Sequence, residues 1–226
     1  MGDAIGQMLA SAVGIAISPL PLIAVILMLA TPKGRANGIA FTAGWVCSLA
    51  ALVTVVVVAG SGADAATGDG EPATWTLWLK LALGVLFLLM GAKQFKDRPR
   101  EGHEAEPPGW MKAIDSFTPG KSAGLAAALA VANPKNLVLA VGGAVSIASS
   151  TASPGGKTVA AVLMVVIASL CTALPLGVYL LGGAKSAKVL GDWKAWMAAH
   201  NAAIMTTVLV VLGVKYIGDA ISGLSG

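Results

Sequence analysis

Two short runs hold most of the residues that could do chemistry in this chain: Asn133-Pro134-Lys135-Asn136 and Ser18-Pro19-Leu20-Pro21. Each interrupts a long apolar stretch. The first lies between Ala123–Ala132 and Leu137–Ala148, so Lys135 falls where a charge in hydrocarbon costs about 2.5 kcal/mol or more. Pro134 adds a second penalty, because proline removes a backbone hydrogen bond and clashes with the preceding turn. A lysine there, beside amides exposed at the ends of broken helices, would attract an anionic group such as a carboxylate or phosphate. The other reading has Lys135 snorkelling or capping the carbonyls that Pro134 frees, although its central place makes snorkelling awkward. Asn133 and Asn136 each donate and accept, and Ser18 does the same in the first run. These three would orient a bound group or satisfy the broken backbone. Pro19, Pro21 and Pro134 shape the two breaks. Pro175, in Ala173-Leu174-Pro175-Leu176-Gly177, predicts a third kink and a hinge. Paired breaks in two halves of a chain are the sequence pointer to a transporter's binding site.

Other chemistries find little material. No Asp or Glu lies in the middle of a predicted helix; Asp3, Asp97, Asp192 and Asp219 sit at ends or in loops. That argues against a proton relay of buried carboxylates and against a hard-cation site. Cys47 and Cys171 lack a Cys-x-x-Cys partner and a nearby cation, so they read as small packing residues; a membrane dithiol carrier is the rival. His103 and His200 stand apart with no cluster around them, so neither a metal nor a cofactor is expected. No Ser-His-Asp set, glycine-rich phosphate loop or zinc-protease motif occurs, and an enzyme is not expected.

The elements that must position these residues are membrane helices. Of 226 residues, 56% are apolar and 12% charged, about half the charge of an ordinary soluble domain. The 28 glycines suit close helix packing in lipid. Six segments are long enough to cross a bilayer: Ala4–Ala30, Ile39–Gly60, Trp75–Phe95, Ser122–Ala148, Thr158–Gly183 and Ala198–Ile221. The N-terminal run lacks a basic leader and is too long for a secretory signal. The net charge of +4 is spread over loops and gives no nucleic-acid footprint. Eleven of the 15 basic residues fall in the loops after the first, third and fifth segments, whereas 61–74 is acidic. Those basic loops are expected in the cytoplasm, with both termini outside.

Three helices, a basic linker and three more helices predict an all-α fold of two inverted three-helix repeats, with the first and fourth helices broken. The expected units are 1–96, a linker at 97–121 and 122–226. Leu89-Met90-Gly91-Ala92-Lys93 is similar to Val211-Leu212-Gly213-Val214-Lys215, and each lysine precedes an aspartate by four residues, Asp97 and Asp219. Cys47 and Cys171 also fall at roughly corresponding depths. In the linker, Arg98–Pro108 is charged and expected to be mobile. Trp110, Ile114 and Phe117 then predict a short amphipathic helix on the interface. Val189, Trp193 and Trp196 repeat that pattern before the sixth segment.

The Ser-Pro-x-Pro break in the first helix and Asn-Pro-Lys in the fourth resemble the lysine-exporter superfamily of bacterial membrane exporters. Phe117-Thr118-Pro119, Gly124-Leu125 and Ala132-Asn133-Pro134-Lys135-Asn136-Leu137 resemble one branch more closely. That branch is the GAP family of peptidoglycolipid and sulfolipid addressing proteins (Sap), and the resemblance covers nearly the whole chain. It implies a multi-pass protein of the bacterial inner membrane that exports envelope glycolipids or peptidoglycolipids. The implied partners are an anionic lipid or glycolipid substrate, membrane lipids and envelope-lipid synthesis or export proteins. A homodimer is allowed by the resemblance and by the glycine-rich helix surfaces. Carried over, the motif positions are Ser18, Pro19 and Pro21, with Asn133, Pro134, Lys135 and Asn136. One departure stands out: amino-acid exporters have Pro-Gly-Pro in the first helix, where this chain has Leu20 in the middle. A bulky apolar residue there fits a lipid better than an amino acid. Two alternatives stay open, an exporter of amino acids or other small anions and a scaffold for envelope-lipid synthesis.

Overall fold

The computed structural model describes residues 2–67, 74–96 and 114–225, and every regular element among them is helical. In chain order these are α1 (Gly2–Ala16), α2 (Pro19–Leu29), α3 (Gly34–Thr67), α4 (Thr74–Lys96), α5 (Pro119–Ala127), α6 (Pro134–Ala148), α7 (Pro154–Ala168), α8 (Leu170–Leu181) and α9 (Ser186–Ser225). Three stretches are single helices long and apolar enough to cross a bilayer: 34–62 on α3, α4 and 183–224 around α9. Three more qualify only as bent pairs. α1 and α2 meet at 46°, α5 (with the turn that continues it) and α6 at 64°, and α7 and α8 at 55°. The protein is therefore a multi-pass membrane protein with three clear spans and up to six.

The helix starts follow one local rule. α2, α5, α6 and α7 each begin with a hydroxyl or amide residue followed by proline: Ser18-Pro19, Thr118-Pro119, Asn133-Pro134 and Ser153-Pro154. Proline at the first helical position loses nothing, because its missing N–H would have no partner there. Thr118, Asn133 and Ser153 cap their own helices, each accepting from a backbone N–H of the first turn. Ser18 takes the same extended backbone (φ −71°, ψ 118°) yet makes no cap bond.

The contacts set the directions of the spans. Along the seam of α4 and α9, Leu77 meets Gly223, Gly84 meets Gly213 and Gly91 meets Val210, so the two run antiparallel. α1 runs antiparallel to α6, with Gly14 at Leu139 and Ser11 at Gly143. α3 runs parallel to the fourth span, from Gly44 at Ala123 to Gly60 at Ala148. Trp45, Phe41, Phe87 and Tyr216 are the largest buried side chains of one continuous core.

Several expectations need correction. Trp110 and Arg98–Pro108 lie outside the described residues. Of the expected linker helix, the described part is a single 3-10 turn, Ile114–Ser116. Ile114 is buried against α2, and the Phe117 carbonyl accepts from Asn37 Nδ2 at 3.0 Å. The end of the linker is docked onto the first half. Val189, Trp193 and Trp196 form no separate helix, because α9 runs unbroken over its 40 residues. No glycine or proline occurs between Gly191 and Gly213 to stop it. At 1.5 Å per residue α9 is about 60 Å long, roughly twice the hydrocarbon thickness. Pro175 lies inside α8, and the bend of that span falls at Ser169 instead. A proline disturbs the turn before it, through the carbonyl four residues back, here that of Cys171.

Candidate functional site

At the fourth-span break, the helix widens before it ends. Ala128–Ala132 forms a π turn in which the Asn133 N–H reaches the Ala128 carbonyl at 3.0 Å. Beyond it Asn133 Oδ1 accepts from the Lys135 N–H at 3.1 Å, starting α6. The Leu129 carbonyl is taken up by Asn136 Nδ2 at 2.9 Å. Asn136 is fully buried and works on both sides of the site. Its Oδ1 accepts from the Ser18 hydroxyl at 3.3 Å. Ser18 spends its side chain on the other break rather than on its own helix. The two interruptions, 118 residues apart in the chain, are thus joined by a buried hydrogen bond.

Lys135 points elsewhere. Its ammonium rests on the sulfur of Met205 in α9, a weak acceptor. Cys171, at the start of α8, lies within electrostatic reach. Among the described residues the two ion pairs are Lys188–Asp192 and Lys215–Asp219, both on α9. No carboxylate is paired with Lys135 in that set. A cation at the meeting point of helices, resting on a sulfur and without a carboxylate partner among the described residues, suits an incoming anion.

The third bend also frees backbone groups. At Ala168–Leu170 the freed Ala168 carbonyl is approached by Trp45 Nε1 from α3 and by the Cys171 thiol, both at 3.4 Å. The Ser169 carbonyl accepts from the Thr172 hydroxyl at 3.1 Å. The Ser169 hydroxyl is buried without a protein partner.

Of the residues singled out from sequence, Ser18, Asn133, Lys135 and Asn136 are brought together, and Pro19, Pro21 and Pro134 start the helices on either side. Pro175 stands one turn beyond Cys171. Cys47 is exposed and Cys171 buried, so the two are not equivalent in their surroundings, and Cys171 has the nearby cation that neither was expected to have. The sequence reading missed Met205, Trp45 and Ser169. It also missed a second buried polar group, in which Tyr216 Oη lies 3.1 Å from Ser11 Oγ and accepts from Ser146 Oγ at 3.5 Å. No short motif announces these residues, since each is an ordinary member of an apolar helix.

No curated protein and no solved structure matches this chain. A family profile described as Sap, sulfolipid-1-addressing protein, matches residues 8–222. With nearly its whole length matched, and with the breaks at Ser18–Pro21 and Asn133–Asn136 inside that match, the chain belongs to the sulfolipid-1-addressing protein family.

Proposed function

We propose that this protein exports an anionic envelope glycolipid or peptidoglycolipid across the bacterial inner membrane, by alternating access around Lys135. The observation that carries the reading is the Ser18–Asn136 hydrogen bond, which ties two broken helices together beside a lysine that has no carboxylate partner among the described residues. Lys135 attracts the headgroup, and Asn133, Asn136 and Ser18 hold the backbone that frames it. The family's description, lipid addressing, supports a lipid cargo. The protein performs no covalent chemistry on that cargo.

Two inverted repeats would provide the moving parts. A shift of 122 residues carries Leu88 to Val210 and Gly91 to Gly213, so the contact of Gly91 with Val210 maps onto that of Gly213 with Leu88. The same shift carries Lys93 to Lys215 and Asp97 to Asp219. The antiparallel pairing of spans one and four, and of three and six, is what inversion requires. The basic loops face the cytoplasm by the lysine and arginine bias, with both termini outside.

Reconstituted into liposomes without other proteins, the chain should move a labelled anionic glycolipid from one leaflet to the other. Transport of lysine without lipid would replace this reading by the amino-acid exporter. Lipid movement that appears only when synthesis enzymes are added would replace it by the scaffold.

A further inference from the structure

We infer that the cavity between α1, the α7–α8 bend and the start of α9 holds one acyl chain of the anionic lipid, which enters sideways from the bilayer. This rests on the exporter reading and adds the place of the tail and the route of entry. The cavity has a volume of about 590 Å³ and no charged residue in its wall. That volume is in the range of sites that enclose a small ligand. Its rim is formed by Val13, Leu174 and Trp196, which are 43%, 52% and 55% exposed on the outside of the bundle. Its inner wall includes Cys171, the residue within electrostatic reach of Lys135. One end of the cavity therefore faces the outside of the bundle, where the lipid lies, and the other ends at the buried Cys171.

The depth fits a chain lying between interface and site. Trp196 lies nine residues before Met205, whose sulfur touches Lys135; that is roughly 13 Å along α9. Tryptophan marks the level of the headgroups. In a bilayer an apolar wall alone selects nothing, because lipid tails already provide an apolar surrounding. The tail is placed by its head, through the charge of Lys135. Two other cavities serve as comparisons within the molecule. One of about 390 Å³ lies between α3 and α7, and one of about 430 Å³ between α1 and α9. Neither is lined by Cys171, the feature that sets the first cavity apart.

The test uses the full chain in liposomes, photolabelled in parallel with phosphatidylglycerol and phosphatidylcholine that carry a diazirine in the acyl chain. Labelled peptides are then mapped. The expected result is about tenfold more labelling of Ile167, Leu174 and Trp196 by the anionic probe, with no such preference at Val162 in the α3–α7 cavity. Lys135→Ala should remove the preference. Leu174→Trp, at a half-exposed position that tolerates bulk, should block the cavity and abolish its labelling while Tm is kept; Val13→Trp does so from the opposite wall. Equal labelling by both probes, or label spread evenly over Val58, Leu89 and the cavity wall, would overturn the inference. Lipid transport at the normal rate by Leu174→Trp would overturn it while leaving the exporter standing. A wild-type protein that moves no lipid at all would remove the exporter reading itself.

Discussion

The seam between α4 and α9 and the junction of the three bent spans solve opposite problems. Along the seam both helices are continuous and satisfy their own backbones, so in lipid they need shape alone. Glycine provides it: a Cβ added at Gly84 would lie 2.9 Å from the Ile217 nitrogen and 3.0 Å from the Gly213 carbonyl oxygen. At the junction the backbones are interrupted, and freed carbonyls must find side chains, which Asn136 and Trp45 supply. Close packing brings two backbones together where the two halves of the chain meet, whereas interruption puts polar groups and a cation at depth. The contrast separates a part that holds from a part that acts, and substitutions should separate stability from transport in the same way.

The seam should give the largest effect. Gly84→Leu drives a branched side chain into the backbone of α9, which cannot rotate aside as a side chain can. The cost is about 3 kcal/mol, read as loss of the folded peak or a large fall in Tm in detergent. A stable Gly84→Leu protein would mean that the seam is looser than its glycines imply. Lys135→Ala should do the reverse. Export of an anionic lipid should fall by about 100-fold, equivalent to about 2.7 kcal/mol, with Tm nearly unchanged. Lys135→Arg should recover part of the rate by restoring the charge. If Lys135→Ala instead unfolds the protein and leaves the transport of any folded remainder intact, the lysine belongs to the structure and not to the site.

Asn136→Ala crosses the boundary between the two regions. It leaves the Leu129 carbonyl buried without a donor, at a cost of about 2 kcal/mol, and it also unties Ser18. Both Tm and transport should fall. Trp45→Phe removes a longer bond, 3.4 Å to the Ala168 carbonyl, from a residue whose bulk is kept. The Cys171 thiol still reaches the same carbonyl, so the loss in Tm should correspond to about 1 kcal/mol.

The two breaks at Ser18–Pro21 and Asn133–Asn136 were legible because their causes are local: proline, a polar residue before it, and a charge within an apolar run. The bend at Ser169 was not. Ala168-Ser169-Leu170-Cys171 is an unremarkable helical sequence, and the groups that settle its freed carbonyls come partly from α3, far away in the chain. Pro175 was visible, but its effect falls on the turn before it, and the sequence marks only the proline. The continuity of α9 was legible in principle, since no breaker separates Trp193 from Met205. Trp193 and Trp196, at helical spacing, mark an interface but no helix end. The Ser11–Tyr216–Ser146 group and the contact of Lys135 with Met205 depend on how three spans pack, which no local pattern encodes. The same limit applies to the cavity, whose walls come from five helices.

The smallest expected effect is the most specific. Ser18→Ala deletes one hydroxyl and leaves the extended backbone that Pro19 demands, so the first break persists. The bond lost is a long one, 3.3 Å to Asn136 Oδ1, and its removal should cost about 0.5 kcal/mol in stability. Asn136 keeps its bond to the Leu129 carbonyl, so the fourth-span break also stays closed. Any larger effect on transport must then come from the link between breaks and not from either break alone. Measured in the Asn136→Ala background, Ser18→Ala should cost almost nothing further. That gap between the single and double variants, about 0.5 kcal/mol or more, is the coupling across the site. Strict additivity would show that the two breaks are merely adjacent, and alternating access around them would lose its mechanical link.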